Sequence, residues 1–391
     1  MNRIDLDRVN HFVLSKQHLT DDSRIDDIVR IANDIVGLHA TSTTTPYLSL
    51  YARTHHFRKE HLDEELYLKR NLAKIRCMRN TLYILPKELL PLTYAATGKM
   101  AREASRRYAE FRGVSPEKYE VISKSVLALL KGREMSVFEV KKALKPQVDV
   151  ASLLSFMCDQ GLLVRGRRAK GWKDKNHKYA LFREYFPDVD LAQMDESEAR
   201  TLLLQYYLRS FGPLTENDIA WWIGLTKTAV RKALGDIHRQ LVQVEINDIE
   251  GGFIMLRSDW DIMKNIGPFK GPTVNLLPSL DPYLMGYRQR ERYLELENYN
   301  RIFDRSGNAV SSIMLNGRVV GVWDFAEDAE PTVKIFLFNE VGKGVLKGIH
   351  SRAQQVGEFI ADRKICLKLC DSMVPLTDRP AGMVMSPLKG C

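Results

Sequence analysis

Gly161-Leu162-Leu163-Val164-Arg165-Gly166-Arg167-Arg168-Ala169-Lys170-Gly171-Trp172-Lys173-Asp174-Lys175-Asn176-His177-Lys178-Tyr179 is the stretch whose reading decides the fold. Gly161 reads as a left-handed helix cap and Leu162 to Val164 as a short buried strand. Arg165 to Lys178 reads as a hairpin tip whose return strand begins at Tyr179. Seven residues of that tip are Lys or Arg and only Asp174 is acidic. Such a loop adds little to folding, and its glycines and Trp172 suit close approach to a groove or an unstacked base. The plain alternative is a charged, mobile loop.

Upstream of the hairpin the pattern is helical. A helix over Tyr119–Leu130 is followed by Gly132, then by Ser136 with Glu139 three residues on, a capping box opening a helix over Val137–Leu144. Pro146 breaks the chain, and Val150–Asp159 supplies a third helix. Helices followed by a basic hairpin is the order of a winged helix. Downstream, Thr215-Glu216-Asn217-Asp218-Ile219-Ala220-Trp221-Trp222-Ile223-Gly224-Leu225-Thr226-Lys227-Thr228 reads as helix, turn, helix. Thr215 and Thr226 cap the two helices, Gly224 turns the chain, and Lys227 and Arg231 lie on the exposed start of the second helix. Leu241–Ile246 and Gly252–Leu256 form its hairpin.

The first hundred residues repeat the order less sharply. Ile25, Ile28, Val29, Ala32, Ile35 and Val36 recur at helical spacing. The Ser/Thr-rich segment Gly37–Thr45 interrupts them, and Thr44 or Thr45 is the natural cap before Pro46. Helices are expected over Pro46–Thr54 and His61–Leu72, a β-prone stretch over Ile75–Leu85, and a long helix over Lys87–Phe111 with Lys99, Arg102 and Arg106 on one face. Beyond Pro272 strands dominate, and Asn316-Gly317 marks a two-residue hairpin. The expected architecture is α+β: two to three tandem winged-helix units, at residues 1–112, 113–190 and 191–270, followed by a β-barrel-like domain at 271–391.

Composition agrees with a folded, multidomain chain. Hydrophobic residues make up 45% and charged residues 27% of 391, and the net charge of +9 favours a polyanionic partner. Five scattered cysteines give no disulfide framework. Cys366 and Cys370 read as buried thiols on a strand rather than half of a metal site, because no second Cys or His pair lies nearby. No metal or cofactor is expected. Met1–Asp7 lacks the apolar core of a signal peptide, and no apolar run approaches the roughly 20 residues of a membrane span, so the expected place is the cytoplasm, associated with the nucleoid.

Five stretches together resemble the winged-helix DNA glycosylase family typified by AlkZ and YcaQ. They are Gly37-Leu38-His39-Ala40-Thr41, Tyr47-Leu48-Ser49-Leu50-Tyr51-Ala52-Arg53, Met78-Arg79-Asn80-Thr81-Leu82-Tyr83, Leu277-Pro278-Ser279-Leu280-Asp281-Pro282-Tyr283-Leu284-Met285-Gly286-Tyr287-Arg288, and Leu315-Asn316-Gly317-Arg318-Val319-Val320-Gly321-Val322-Trp323. Their order spans nearly the whole chain. The resemblance implies three winged helices, a C-terminal barrel and a loop in which a Gln-x-Gln or Gln-x-Asp pair positions water for attack on the sugar carbon. The matching positions here are His39 and Thr41, a departure at both.

These two residues still permit the chemistry. An N3- or N7-alkylated purine is a cationic base and a good leaving group, so the reaction needs chiefly an oriented water. His39, with an ordinary pKa near neutrality, could orient or deprotonate it, and Thr41 could hold it. The alternatives are a histidine bonded to backbone and a helix-capping threonine. Asp281 could stabilise positive charge on the sugar or anchor the arginines that follow it. Arg79 reads as a lesion-side contact or a structural pair. Candidate DNA contacts are Arg165, Arg167, Arg168, Lys170, Trp172, Lys173, Lys175, Lys178, Lys227, Arg231, Arg288 and Arg290.

Two functions follow. One is a monofunctional glycosylase removing alkylated purines, bulky or crosslinked ones included, from duplex DNA; the other is a non-catalytic winged-helix regulator or lesion-recognition protein. Neither requires a membrane or an obligatory protein partner.

Overall fold

A computed structural model describes residues 2–378, 386–388 and 391. The order of helices followed by a hairpin occurs three times. In the first unit, helices Ile28–Asp34, Thr45–Tyr51 and Lys59–Tyr67 pack on an antiparallel sheet ordered 38–39, 82–86, 72–76. The helically spaced Ile28, Ile31, Ala32 and Ile35 meet Leu50, Leu62, Leu66 and Ile84 in one core. The β-prone stretch is thus a hairpin, Leu72–Arg76 paired with Leu82–Pro86. Its turn requires left-handed backbone at Arg79 (φ 50°) and Asn80 (φ 58°).

The second unit is built as its caps dictate. Ser136 Oγ accepts from Glu139 N at 3.3 Å, and the Glu139 carboxylate accepts from Ser136 N at 2.7 Å, opening the Val137–Leu144 helix. Asp149 caps Val150–Asp159, and Gly161 closes it at φ 73°. Strand Leu163–Arg168 pairs with His177–Leu181, two residues earlier than expected at the return. The unit has its own core around Leu130, Val140, Leu153, Leu154 and Met157.

In the third unit the helix-turn-helix caps form as read: Thr215 Oγ1 accepts from Asp218 N, Gly224 sits at φ 85°, and Thr226 Oγ1 accepts from Ala229 N. One strand was not legible beforehand. Asn2–Ile4 adds parallel to Val244–Ile246, so the start of the chain completes the third unit's sheet. The long Leu90–Phe111 helix packs on both Val150–Asp159 and Glu196–Phe211, tying the units together.

The expected C-terminal barrel is corrected by the strand order. Five strands run Val274–Leu277, Ser312–Leu315, Arg318–Ala326, Thr332–Leu337 and Cys366–Leu369, and no pairing joins the first to the last. The sheet stays open because the chain leaves Leu337, crosses as helix Lys343–Ala361 and returns parallel to its neighbour. That helix seals one face with Ile349, Ala353, Val356 and Ile360 against Val274, Leu276 and Trp323. Asn316 and Gly317 both have positive φ (48° and 80°), as the two-residue hairpin demands. The cysteine reading is also corrected: Cys370 is bonded to Cys391, and Cys366 is exposed rather than buried. Among the described residues no helix is long and apolar enough to cross a membrane.

Candidate active site

Strand Leu38–His39 ends the sheet of the first unit and aims His39 inward. His39 stands opposite Tyr83 in the antiparallel register, with ring centroids 5.2 Å apart. The imidazole is 2% exposed, and its Nδ1 has no hydrogen-bond partner. Burial first and the Arg79 charge second, opposed by Asp281, together lower its pKa from 6.5 to about 3. His39 is therefore neutral near pH 7 and too weak a base to hold a proton, which corrects the near-neutral pKa expected from sequence. It can orient a water but does not titrate in the physiological range.

Beyond His39 the chain runs through an exposed Thr41 to the Thr45–Tyr51 helix. Neither expected threonine cap forms. Thr44 makes no side-chain capping bond, its hydroxyl lying 3.3 Å from that of Ser42, while Thr45 Oγ1 donates to the Ser279 carbonyl at 2.8 Å.

Asp281 is an anchor, on a partner the sequence did not suggest. It is fully buried and accepts from both Arg53 Nη atoms at 2.8 Å, from Ser49 Oγ at 2.7 Å and from Tyr283 N at 2.9 Å. The clue was available: Ser49 in the helix Thr45–Tyr51 and Arg53, two residues past its end, are polar residues four apart in an otherwise largely apolar stretch, and Arg53 Nη1 also donates to the Ser49 carbonyl at 3.0 Å. Its carboxylate oxygens are thus occupied by Arg53 rather than by Arg288, Arg290 or Arg292.

Arg79 behaves differently. Its left-handed turn lays the guanidinium 3.8 Å over the Trp221 ring of the third unit, and its Nε and Nη2 are buried with no hydrogen-bond partner. Trp221 and Tyr83, which sequence reasoning did not single out, are its neighbours; burial raises the Tyr83 pKa, and the Arg79 and Thr81 side chains lower it. A half-buried guanidinium with two nitrogens out of reach of water and no acidic partner, set between the first and third units, is suited to an anion.

The basic hairpin divides into two groups. Arg167, Lys170 and Lys175 are exposed. Arg165 is buried, donating to Ser155 Oγ at 3.1 Å and paired with Asp159 at 3.6 Å, so its charge is already used. Trp172 is not open for base stacking, because it packs edge-on against Tyr47 with Lys59 4.9 Å above it. Arg168, Lys173 and Lys178 are partly covered. Elsewhere, Arg288 and Lys227 are exposed, and Arg231 is exposed while paired with Glu216 at 3.0 Å. Arg290 is buried 3.3 Å from the Phe303 ring centroid and donates to Tyr299 Oη at 2.6 Å, which removes it from the surface.

A cleft of about 500 Å³ beside Tyr51, Asn275 and Arg352 contains none of the site groups. Among the described residues no cluster of His, Cys, Asp and Glu is fit for a metal.

An interstrand DNA cross-link repair glycosylase of Streptomyces sahachiroi is 26% identical over 278 residues, 66% of this chain and 71% of the relative. The solved structure of the Streptomyces sahachiroi DNA glycosylase AlkZ shares the fold, with a TM-score of 0.74 at 20% identity over 95% of this chain and all of that one. The family model described as DNA glycosylase AlkZ-like matches residues 32–359, and the chain belongs to that family.

Proposed function

We propose that this protein is a monofunctional DNA glycosylase that hydrolyses the N-glycosidic bond of N3- or N7-alkylated purines in duplex DNA, bulky and crosslinked adducts included. Residues 1–112, 113–190 and 191–270 act as winged helices gripping the duplex, and residues 271–391 brace them. The protein works in the cytoplasm on the nucleoid and needs no cofactor or protein partner.

The observation that carries this reading is the buried, unpartnered Nδ1 of His39 at the start of a Ser/Thr-rich loop whose Thr41 is exposed. In the reaction the sugar C1′ to purine nitrogen bond breaks with its electron pair going to the cationic base, which leaves neutral. A water held by His39 and Thr41 forms the new bond to C1′ and releases its proton to solvent. With its pKa at about 3, His39 serves by orienting that water. Arg79 receives the phosphate beside the damaged nucleotide, and Arg167, Lys170, Lys175, Lys227 and Arg288 meet the backbone further out.

The test is release of free base, and appearance of abasic sites, from duplexes carrying N7- or N3-alkylpurines. Wild type is expected to release base, and His39→Ala to lose at least about a hundredfold in rate. No release from any such duplex by a folded, DNA-binding protein would overturn the reading. The departure from the family's glutamine pair at His39 and Thr41 favours a second reading, a non-catalytic DNA-binding protein. Its mark is a sequence-specific footprint on undamaged duplex that His39→Ala leaves intact.

A further inference from the structure

The hairpin of the second unit has an outer and an inner side. Arg167, Lys170 and Lys175 face solvent. The inner residues reach across to the segment that leaves His39. Arg168 Nη1 donates to the Thr43 carbonyl at 3.2 Å and to the Trp172 carbonyl, and the Thr43 hydroxyl donates to the Lys173 carbonyl at 3.4 Å. Trp172 lies edge-on to Tyr47, with ring centroids 5.3 Å apart, in the helix that ends that segment. Lys173 Nζ then pairs with the exposed Glu327 at 2.5 Å, just past the strand Arg318–Ala326 of the C-terminal sheet.

Apart from these contacts the segment is tied at its two ends, where Ala40 N donates to the Leu82 carbonyl at 2.7 Å and Thr45 Oγ1 to the Ser279 carbonyl at 2.8 Å, and its middle is left with little to fix it. Thr41 is exposed, Thr44 caps nothing, and the Ser42 and Thr44 hydroxyls bond chiefly to one another. A loop with few buried contacts opens at little cost, yet reacting groups must be held to about 0.5 Å. The contacts from the hairpin supply what the loop lacks.

We propose, resting on the reading of His39 and Thr41 as the groups that orient water, that this hairpin is the positioning element of the active-site loop. Arg168 and Trp172 are positioning residues. Duplex phosphates taken up by Arg167, Lys170 and Lys175 hold the hairpin down, so DNA engagement and loop geometry are one event. Catalytic competence is thereby coupled to a bound backbone, and lysine, with a shorter and differently shaped head group, replaces only in part the Arg168 Nη1 that donates to both carbonyls.

The experiment pairs single-turnover base release with hydrogen exchange on the full chain. In Arg168→Ala, kcat is expected to fall roughly tenfold or more with little change in KM, because a small misplacement near the reacting atoms is felt in rate. The amides of Thr41 to Thr45 should exchange roughly tenfold faster while protection elsewhere is kept. Arg168→Lys should recover part of both losses. Undamaged duplex should slow exchange of the same amides in wild type, and less so in a Lys170→Ala, Lys175→Ala double variant. Unchanged kcat and exchange in Arg168→Ala, or protection lost evenly along the chain, would overturn the proposal. If wild type releases no base, the water-orienting reading fails on that ground alone, while the exchange measurements still decide whether the hairpin fixes the loop.

Discussion

Two guanidinium groups lie near His39, one fully buried and one half-buried, and they are treated in opposite ways. Arg53 is fully buried with both Nη atoms on the Asp281 carboxylate at 2.8 Å, and only its Nε is left over. Arg79 has no carboxylate; it lies on Trp221 with Nε and Nη2 both unpartnered. A buried charge is tolerable when paired and costly when not. Arg53 therefore belongs to the framework that joins the first unit to the C-terminal segment. Arg79 keeps a charge with no acidic partner near His39, an arrangement that makes sense if its partner arrives with the substrate.

The sharpest way to break this comparison is to turn Arg53 into a second Arg79. Asp281→Asn removes the charge but keeps the shape, leaving a fully buried guanidinium without its counterion. Stability is expected to fall by about 3–5 kcal/mol, the usual consequence of breaking one side of a buried pair. Urea denaturation with an unchanged m-value would report it. A loss under 1 kcal/mol would mean that Arg53 and Asp281 are not the framework pair.

Next in size is Arg79→Met, which should leave the midpoint of urea unfolding unchanged or raise it, since no ion pair is lost. Base release, by contrast, should drop roughly 10- to 100-fold, the worth of one charge-assisted contact in a desolvated site. A large loss of stability with intact activity would place Arg79 with Arg53 in the framework.

The two arginines also show how far the sequence could be read. Arg79 was singled out because it lies in a stretch shared with the family, but its role depends on Trp221, 142 positions away, which no spacing rule connects to it. The capping boxes at Ser136 and Thr215, the Asn316-Gly317 hairpin and the helical spacing of Ile28 to Ile35 are local, and all appear in the structure. The open C-terminal sheet, the Asn2–Ile4 strand and the Cys370–Cys391 bond depend on long-range pairing and were missed. Within the basic hairpin the charge was legible and its division was not. Whether an arginine faces solvent or a buried aspartate is settled by the neighbour it packs on, as Arg167 and Arg165 show two residues apart.

Acid adds a third test, because His39 feels both Arg79 and Asp281. Its folded-state pKa, about 3, lies below the unfolded value near 6.5, so the unfolded chain binds the extra proton in between. The stability due to neutral His39 is thus complete above pH 6.5 and is lost as pH falls towards 3. Between pH 7 and pH 5 this amounts to about 2 kcal/mol. His177, also lowered to about 3 by burial and by Arg165 and Lys74, acts in the same direction. His39→Gln should flatten the slope of unfolding free energy against pH by the His39 share. In kcat for base release, no ionisation near 6.5 should be traceable to His39; a limb there that disappears in His39→Gln would contradict its burial.

The smallest effect is expected where the same pairing chemistry is moved to the surface. Arg231 meets Glu216 at 3.0 Å, close to the Arg53–Asp281 separation, but the Arg231 side chain is 66% exposed. Water screens the pair and the long side chain gives up rotamer freedom to form it, so Arg231→Ala should change stability by less than about 0.5 kcal/mol. Its consequence lies in binding. If Arg231 releases Glu216 to meet a phosphate, the variant should weaken duplex affinity to a similar extent for every sequence, and the slope of log affinity against log salt should become shallower by about one. An unchanged slope would leave Arg231 as a surface ion pair and turn the proposed duplex contact towards Lys227 in the same helix and towards Arg288, two exposed cations for which no acidic partner is seen among the described residues.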